Sequence, residues 1–164
     1  MRLTCYVGAD ILPAMGSANE SPPREVMKTL HELVQGLDLL IGQAMGGVAV
    51  DLQPIPGDVP VVQISIEGRQ ELPLYLTSSD AQILCLCYLW SDEEVKPERR
   101  SELLETLLDL NPSVPLSSFG RVGNRFVLFG ALARGAQVQD IAHDVIVLSD
   151  NALDALDALS DFLQ

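Results

Sequence analysis

Positive charge is scarce in this chain. Ten Lys and Arg face 23 Asp and Glu, a formal net charge of −13 at pH 7. Nucleic-acid binding draws on clustered cations that neutralise phosphates, so this balance argues against a direct nucleic-acid partner. An anionic lipid surface would repel the chain as well. Aromatic residues make up only 5%, too few for a platform that stacks bases or sugar rings. No apolar run is long enough to span a bilayer, and Asp10 interrupts any signal-peptide core early. The expected location is the cytoplasm, with no insertion into a membrane.

Cysteine is equally thin. Cys5, Cys85 and Cys87 are too few and too widely spread for a disulfide framework. Cys85 and Cys87 lie two apart in an apolar run, so a strand would point both to one face. With no second pair and no nearby His, they lack the four ligands of a zinc site. They read as small buried hydrophobes.

A glycine-rich phosphate loop is missing too. The glycines near 120–123 and at 130 fall inside a hairpin rather than between a strand and a helix. His31 and His143 sit on separate predicted helices without metal-ligand spacing, and Ser117-Ser118 lacks a nucleophile-elbow setting. No catalytic residue, metal or cofactor is expected, and the chain is not read as an enzyme.

What is present is a globular composition, 48% hydrophobic over 164 residues, the size of one domain. Residues 1–21 read either as a flexible leader or as the product of an upstream start codon. Residues 22–164 read as a single α+β domain. Ser21-Pro22-Pro23 followed by Glu25 is a helix-start signal, and Val26, Leu30, Leu33, Val34, Leu37 and Ile41 then recur at helical spacing. The expectation is a first helix over roughly 23–44, weakened at Gly36 and Gly42.

Four extended runs follow: 48–52, 61–67, 71–77 and 81–90. The second alternates Val62, Ile64 and Ile66 against Gln63, Ser65 and Glu67, a half-buried strand. The fourth is apolar at nearly every position from Ile83 to Trp90, the pattern of a strand covered on both faces or central in its sheet. Pro97 opens a second helix over 97–110, in which Leu103, Leu104, Leu107, Leu108 and Leu110 form a broad stripe. Strands at 116–122 and 125–132 flank Gly123-Asn124, a pair that supplies the positive φ values of a tight hairpin. Val138 to Leu163 carries the last helical pattern. The order α-β-β-β-β-α-β-β-α predicts a mainly antiparallel, twisted sheet with flanking helices.

One charge pattern points to function. After Arg134 no Lys or Arg occurs, while Asp140, Asp144, Asp150, Asp154, Asp157 and Asp161 do. Asp150, Asp154, Asp157 and Asp161 keep helical spacing and so share one face. That face is either a solvated surface or a stripe that receives Lys and Arg from a partner.

The pieces Leu72-Pro73-Leu74-Tyr75-Leu76, Gln82-Ile83-Leu84, Pro115-Leu116-Ser117-Ser118-Phe119-Gly120, Phe129-Gly130-Ala131-Leu132 and Leu148-Ser149-Asp150-Asn151 resemble the YjfI family of uncharacterised bacterial proteins, over about residues 25–163. That family has no assigned catalytic motif, so no functional residue carries over. Its genes often neighbour one for a phage-shock-protein-A-like coiled-coil membrane-stress factor, and the resemblance implies such a partner. The element order is also similar to that of type III secretion chaperones and YbjN proteins, which implies a dimeric, chaperone-like fold.

The expected function is a non-catalytic, cytoplasmic, protein-binding or chaperone-like module, dimerising through the second helix and the 116–132 hairpin. The expected interface residues are Leu103, Leu104, Leu107, Leu108, Asp154, Asp157 and Asp161. The alternative is a small-molecule sensor or enzyme whose site is built from unremarkable residues.

Overall fold

Alternation with period two is what builds the sheet. The computed structural model describes residues 30–164, and the proposed leader at 1–21 and the start of the first helix fall outside them. Six strands form: β1 (Val50–Ile55), β2 (Val61–Ile66), β3 (Leu74–Ser78), β4 (Gln82–Ser91), β5 (Ser118–Val122) and β6 (Arg125–Ala133). Every pairing is antiparallel, in the spatial order β1-β2-β3-β4-β6-β5. The fold is the expected α+β class. β4 lies inside the sheet, as its apolar run required.

Register places the apolar residues. Ile64 pairs with Leu74, Leu74 with Cys87 and Cys87 with Leu128, so one face stacks a continuous row of buried side chains. Residues paired across strands share a face, and a one-residue slip would turn that row to solvent. Trp90 and Phe126 close one end of the core, ring centroids 5.7 Å apart. β1 runs through Pro54 instead of stopping before it. As an edge strand it can hold a proline, whose missing N–H costs no ladder bond when it points outward.

The helices gather on the buried face. These are α1 (Leu30–Leu33), α2 (Leu37–Ala44), α3 (Arg100–Leu110) and α4 (Val138–Ala158). The single helix expected over 23–44 is broken, because Gly36 adopts φ 79°, a left-handed turn that only glycine takes cheaply. Gly42, by contrast, is required by space. A Cβ there would lie 2.7 Å from the Val48 carbonyl oxygen. The 97–110 helix begins as a 3-10 turn over Pro97–Arg99 before α3 proper. The Gly123-Asn124 turn has positive φ at Gly123 alone, which is what a type II′ hairpin needs.

α4 spans 21 residues and buries Ile141, Val145, Leu148, Ala152 and Ala155 against the sheet and α2. It stops at Ala158, so Leu159–Leu163 lies beyond it. A 3-10 turn, Ser160–Phe162, leads the chain back to the start of α3, where Lys96 N–H donates to the Phe162 carbonyl at 2.9 Å and Val95 bridges Leu163. No described helix is long and apolar enough to cross a membrane.

Candidate protein-binding surface

Helical periodicity divides the α3 leucines into two sets. Leu103 and Leu107 point down and are buried in the core, whereas Leu104 is half-buried and Leu108 stands 70% exposed. Of the four leucines expected at an interface, only Leu104 and Leu108 are therefore open to a partner. Beside them lies a hollow of about 310 Å³, lined by Leu104, Leu107, Leu108, Phe119, Arg121 and Phe126. Phe119 also borders a second hollow of about 260 Å³, formed by Leu110, Val114, Pro115, Asp154 and Leu159. Both are mainly apolar and share Phe119 as a wall, so together they form an interrupted groove from α3 past the start of β5 to α4.

Two charged residues line the hollows, Arg121 and Asp154, and further acids stand on the helices beside them. Glu105 and Asp109 are exposed on α3, and Asp154 and Asp157 on α4. Asp161 does not continue their row. It sits in the 3-10 turn after the helix, where the backbone no longer follows the 100° step. Cations distant in sequence also reach this acidic segment. Arg69 binds Asp150 at 2.6 Å and the Ser149 hydroxyl at 2.8 Å. Lys96 Nζ and Arg99 Nη1 donate to the Asp161 carbonyl at 2.8 and 3.1 Å. The segment without Lys or Arg is thus partly neutralised in three dimensions, at Asp150 and at its far end, while Asp154 and Asp157 stay exposed between.

Local hydrogen bonds fix the groove's walls. Arg99 grips Glu102 through two bonds, 2.7 and 3.0 Å, and lies 4.0 Å over the Phe162 ring. The Arg99 bond holds the Glu102 carboxyl below its usual range. Asp92 takes both Arg100, at 3.1 Å, and Arg121, tying the end of β4 to α3 and β5. Ser91 donates its N–H and hydroxyl to Glu94, which lowers the Glu94 pKa. Asn151 on α4 donates to the Pro115 carbonyl at 2.8 Å and the Ser117 hydroxyl at 3.1 Å. The Asn111 side chain accepts from the Phe119 N–H at 2.6 Å.

Other titratable groups stand apart from the groove. Cys85 and Cys87 are both fully buried on one face of β4. Burial pushes Cys85 up, helped by the Asp144 charge, and pushes Cys87 up to about 12. Such thiols stay protonated and poorly nucleophilic. Asp144 is 6% exposed, its Oδ2 has no hydrogen-bond partner, and burial raises its pKa against the opposing pull of His143. In sequence Asp144 is one of the six aspartates after Arg134. Its neighbours at 141, 145 and 148 place position 144 on the inner stripe. Among the described residues no three His, Cys, Asp or Glu side chains converge as metal ligands would.

A family model described as an uncharacterized protein conserved in bacteria (DUF2170) matches residues 27–163. The chain belongs to this family. The DUF2170 match spans every described strand and helix, so the groove and its acidic rim lie wholly within the family's domain. No curated protein matches the chain. The family description assigns no activity to a DUF2170 protein, and the functional reading rests on the geometry above.

Proposed function

We propose that the chain is a non-catalytic, chaperone-like protein-binding module whose α3–α4 groove takes a basic amphipathic segment of another protein. The observation that carries this reading is Leu108, 70% exposed on the wall of an apolar hollow and flanked by the carboxylates of Glu105 and Asp109. One exposed leucine is ordinary by itself, but beside an apolar hollow it offers an anchor and a pocket together. The rim carboxylates favour Lys and Arg on the incoming segment and would raise its encounter rate. A helix laid in the groove with apolar anchors inward and cations outward meets both demands. A coiled coil of the phage-shock-protein-A kind, the cytoplasmic partner implied by the resemblance, contains helices of amphipathic type.

The test is binding of a labelled helical peptide with Leu on one face and Lys on the other, followed by fluorescence anisotropy. A charge-inverted peptide with Glu for Lys serves as control. The basic peptide should bind, the acidic one should not, and affinity should fall as salt rises. Leu108→Glu decides between groove binding and bare charge attraction. It removes the anchor yet adds a negative charge, so groove binding weakens by about tenfold or more, the worth of burying one leucine. Unspecific attraction would instead strengthen, and that result would refute the reading.

A further inference from the structure

The sheet has a second face that no described helix covers. One row of it crosses all six strands as Gln53, Gln63, Tyr75, Leu86, Phe129 and Ser118. A neighbouring row carries Val61, Thr77, Leu84 and Ala131, and another carries Asp51, Ser65, Tyr88 and Val127. None of Tyr75, Leu84, Leu86, Tyr88 or Phe129 belongs to the buried core beneath the helices, and all five are half-buried, while Val127 beside Tyr88 is buried. Tyr75 and Tyr88 meet edge to face at 5.6 Å, and Gly120 leaves room for the Phe129 ring, which a Cβ would meet at 2.9 Å. The centre of this face is apolar and aromatic, with neutral polar groups at its margin.

Its charges are the informative part. In a chain of net charge −13, these three rows contain one acid, Asp51, on the outer strand β1, and the next row, which reaches Arg125, adds the exposed Glu67 just past the end of β2. One cation, Arg125, extends the face near its opposite edge, with its guanidinium 4.9 Å over the Tyr88 ring. Two copies repel each other over most approaches, but here they can meet without burying like charge. A two-fold axis lying between two such faces, parallel to the strands, reverses the strand order of one copy over the other. β1 then lies over β6 and β5 of the partner subunit. Asp51 shares a row with Val127, two residues from Arg125, so the opposite charges come within about 7 Å along the strand, the reach of an arginine. The face measures about 24 Å across the strands and 20 Å along them.

We propose that this face is a homodimer interface, in which two copies of the chain pack sheet to sheet and pair Asp51 of each with Arg125 of the other. Aligned sheets of this kind stack about 10 Å apart, which lets Leu86, Tyr75 and Phe129 interdigitate. The proposal goes beyond the groove on α3 and leaves that groove free for its partner in each copy.

Sedimentation equilibrium of the full chain at micromolar concentration tests it. The expected result is a dimer that Leu86→Glu converts to a monomer of unchanged circular dichroism. Asp51→Arg and Arg125→Asp should each weaken the dimer about tenfold, and the double reversal should restore most of that loss. Should Leu86→Glu fail to fold, the surface pair alone decides. A wild-type monomer at these concentrations overturns the proposal, leaving the face to another occupant. So does a double reversal no tighter than its weaker single change. Leu108→Glu must leave the dimer intact, since a dimer broken by that change uses the α3 groove instead.

Discussion

Gly130→Ala sets space against backbone propensity, and the two give opposite signs. Glycine inside a strand is costly, so alanine there normally stabilises by about 0.5–1 kcal/mol. At Gly130, however, a Cβ would lie 2.7 Å from Asp144 Oδ2 and 2.8 Å from the Leu116 carbonyl oxygen. Even weak C–H···O contacts keep about 3.3–3.6 Å, so both oxygens must retreat by more than half an ångström. Neither has an easy path. Leu116 already holds a positive φ of 54°, and Asn151 pins Pro115 and Ser117 on either side of it. Asp144 is buried on the inner face of α4. Overpacking of this kind costs about 1–3 kcal/mol, which after the gain in propensity leaves a net loss centred near ~1 kcal/mol and reaching about 2.5. For a domain of this size each kcal/mol lowers Tm by about 2–4 °C. Trp90 is the sole tryptophan and is buried, so its fluorescence during thermal unfolding is a direct readout. In an Asp144→Ala background the loss should shrink without vanishing, because the Leu116 carbonyl remains. An alanine variant as stable as the original, or more stable, would refute the steric reasoning.

Asp144→Asn should stabilise the protein near neutrality. The raised Asp144 pKa means that the native state keeps a proton the unfolded chain has already released. Stability is therefore lost as pH rises from the usual value of 3.8 through the folded pKa, and the asparagine carries no such penalty. The gain in Tm should disappear in acid below the ordinary carboxylate range, and an equal gain at all pH values would exclude ionisation as its cause. Leu159→Ala should cost about 2–5 kcal/mol, since Leu159 is 3% exposed and borders the second hollow. Asp154→Asn with Asp157→Asn should leave urea stability level or slightly higher, since like charges near one another on a helix repel weakly. A loss from the aspartate pair as large as that from Leu159 would show those carboxylates to be structural.

Much of this architecture is legible because strands and amphipathic helices have different periods. β2 announces itself in Val62, Ile64 and Ile66, and α4 in Ile141, Val145 and Leu148, all buried as their spacing required. What could not be read were features set by contacts far apart in sequence. Gly36 weakens any helix, but the left-handed break there is a choice among conformations that composition does not fix. The acid-rich end looks uncompensated in one dimension, yet Arg69, 81 residues before Asp150, crosses to meet it. Leu103 and Leu108 look alike in a leucine stripe. Only the placement of α3 against the sheet decides that the first is core and the second is open.

Strand β4 gives the sharpest case, and it bears on assembly. Leu84, Leu86 and Tyr88 alternate with Ile83, Cys85 and Cys87, so both of its faces are apolar. A strand with that composition calls for cover on both sides. Within the described residues the helices supply only one cover, over the cysteine face. Antiparallel sheets that present one face to water carry polar residues there, as β2 does with Gln63 and Ser65. β4 and β6 do not follow that rule, since Leu86 and Phe129 stand opposite each other at the sheet's centre. The local sequence thus asks for a layer that the described part of one copy does not contain. A second copy, bringing an equally neutral face of the same shape, supplies it without adding a like charge.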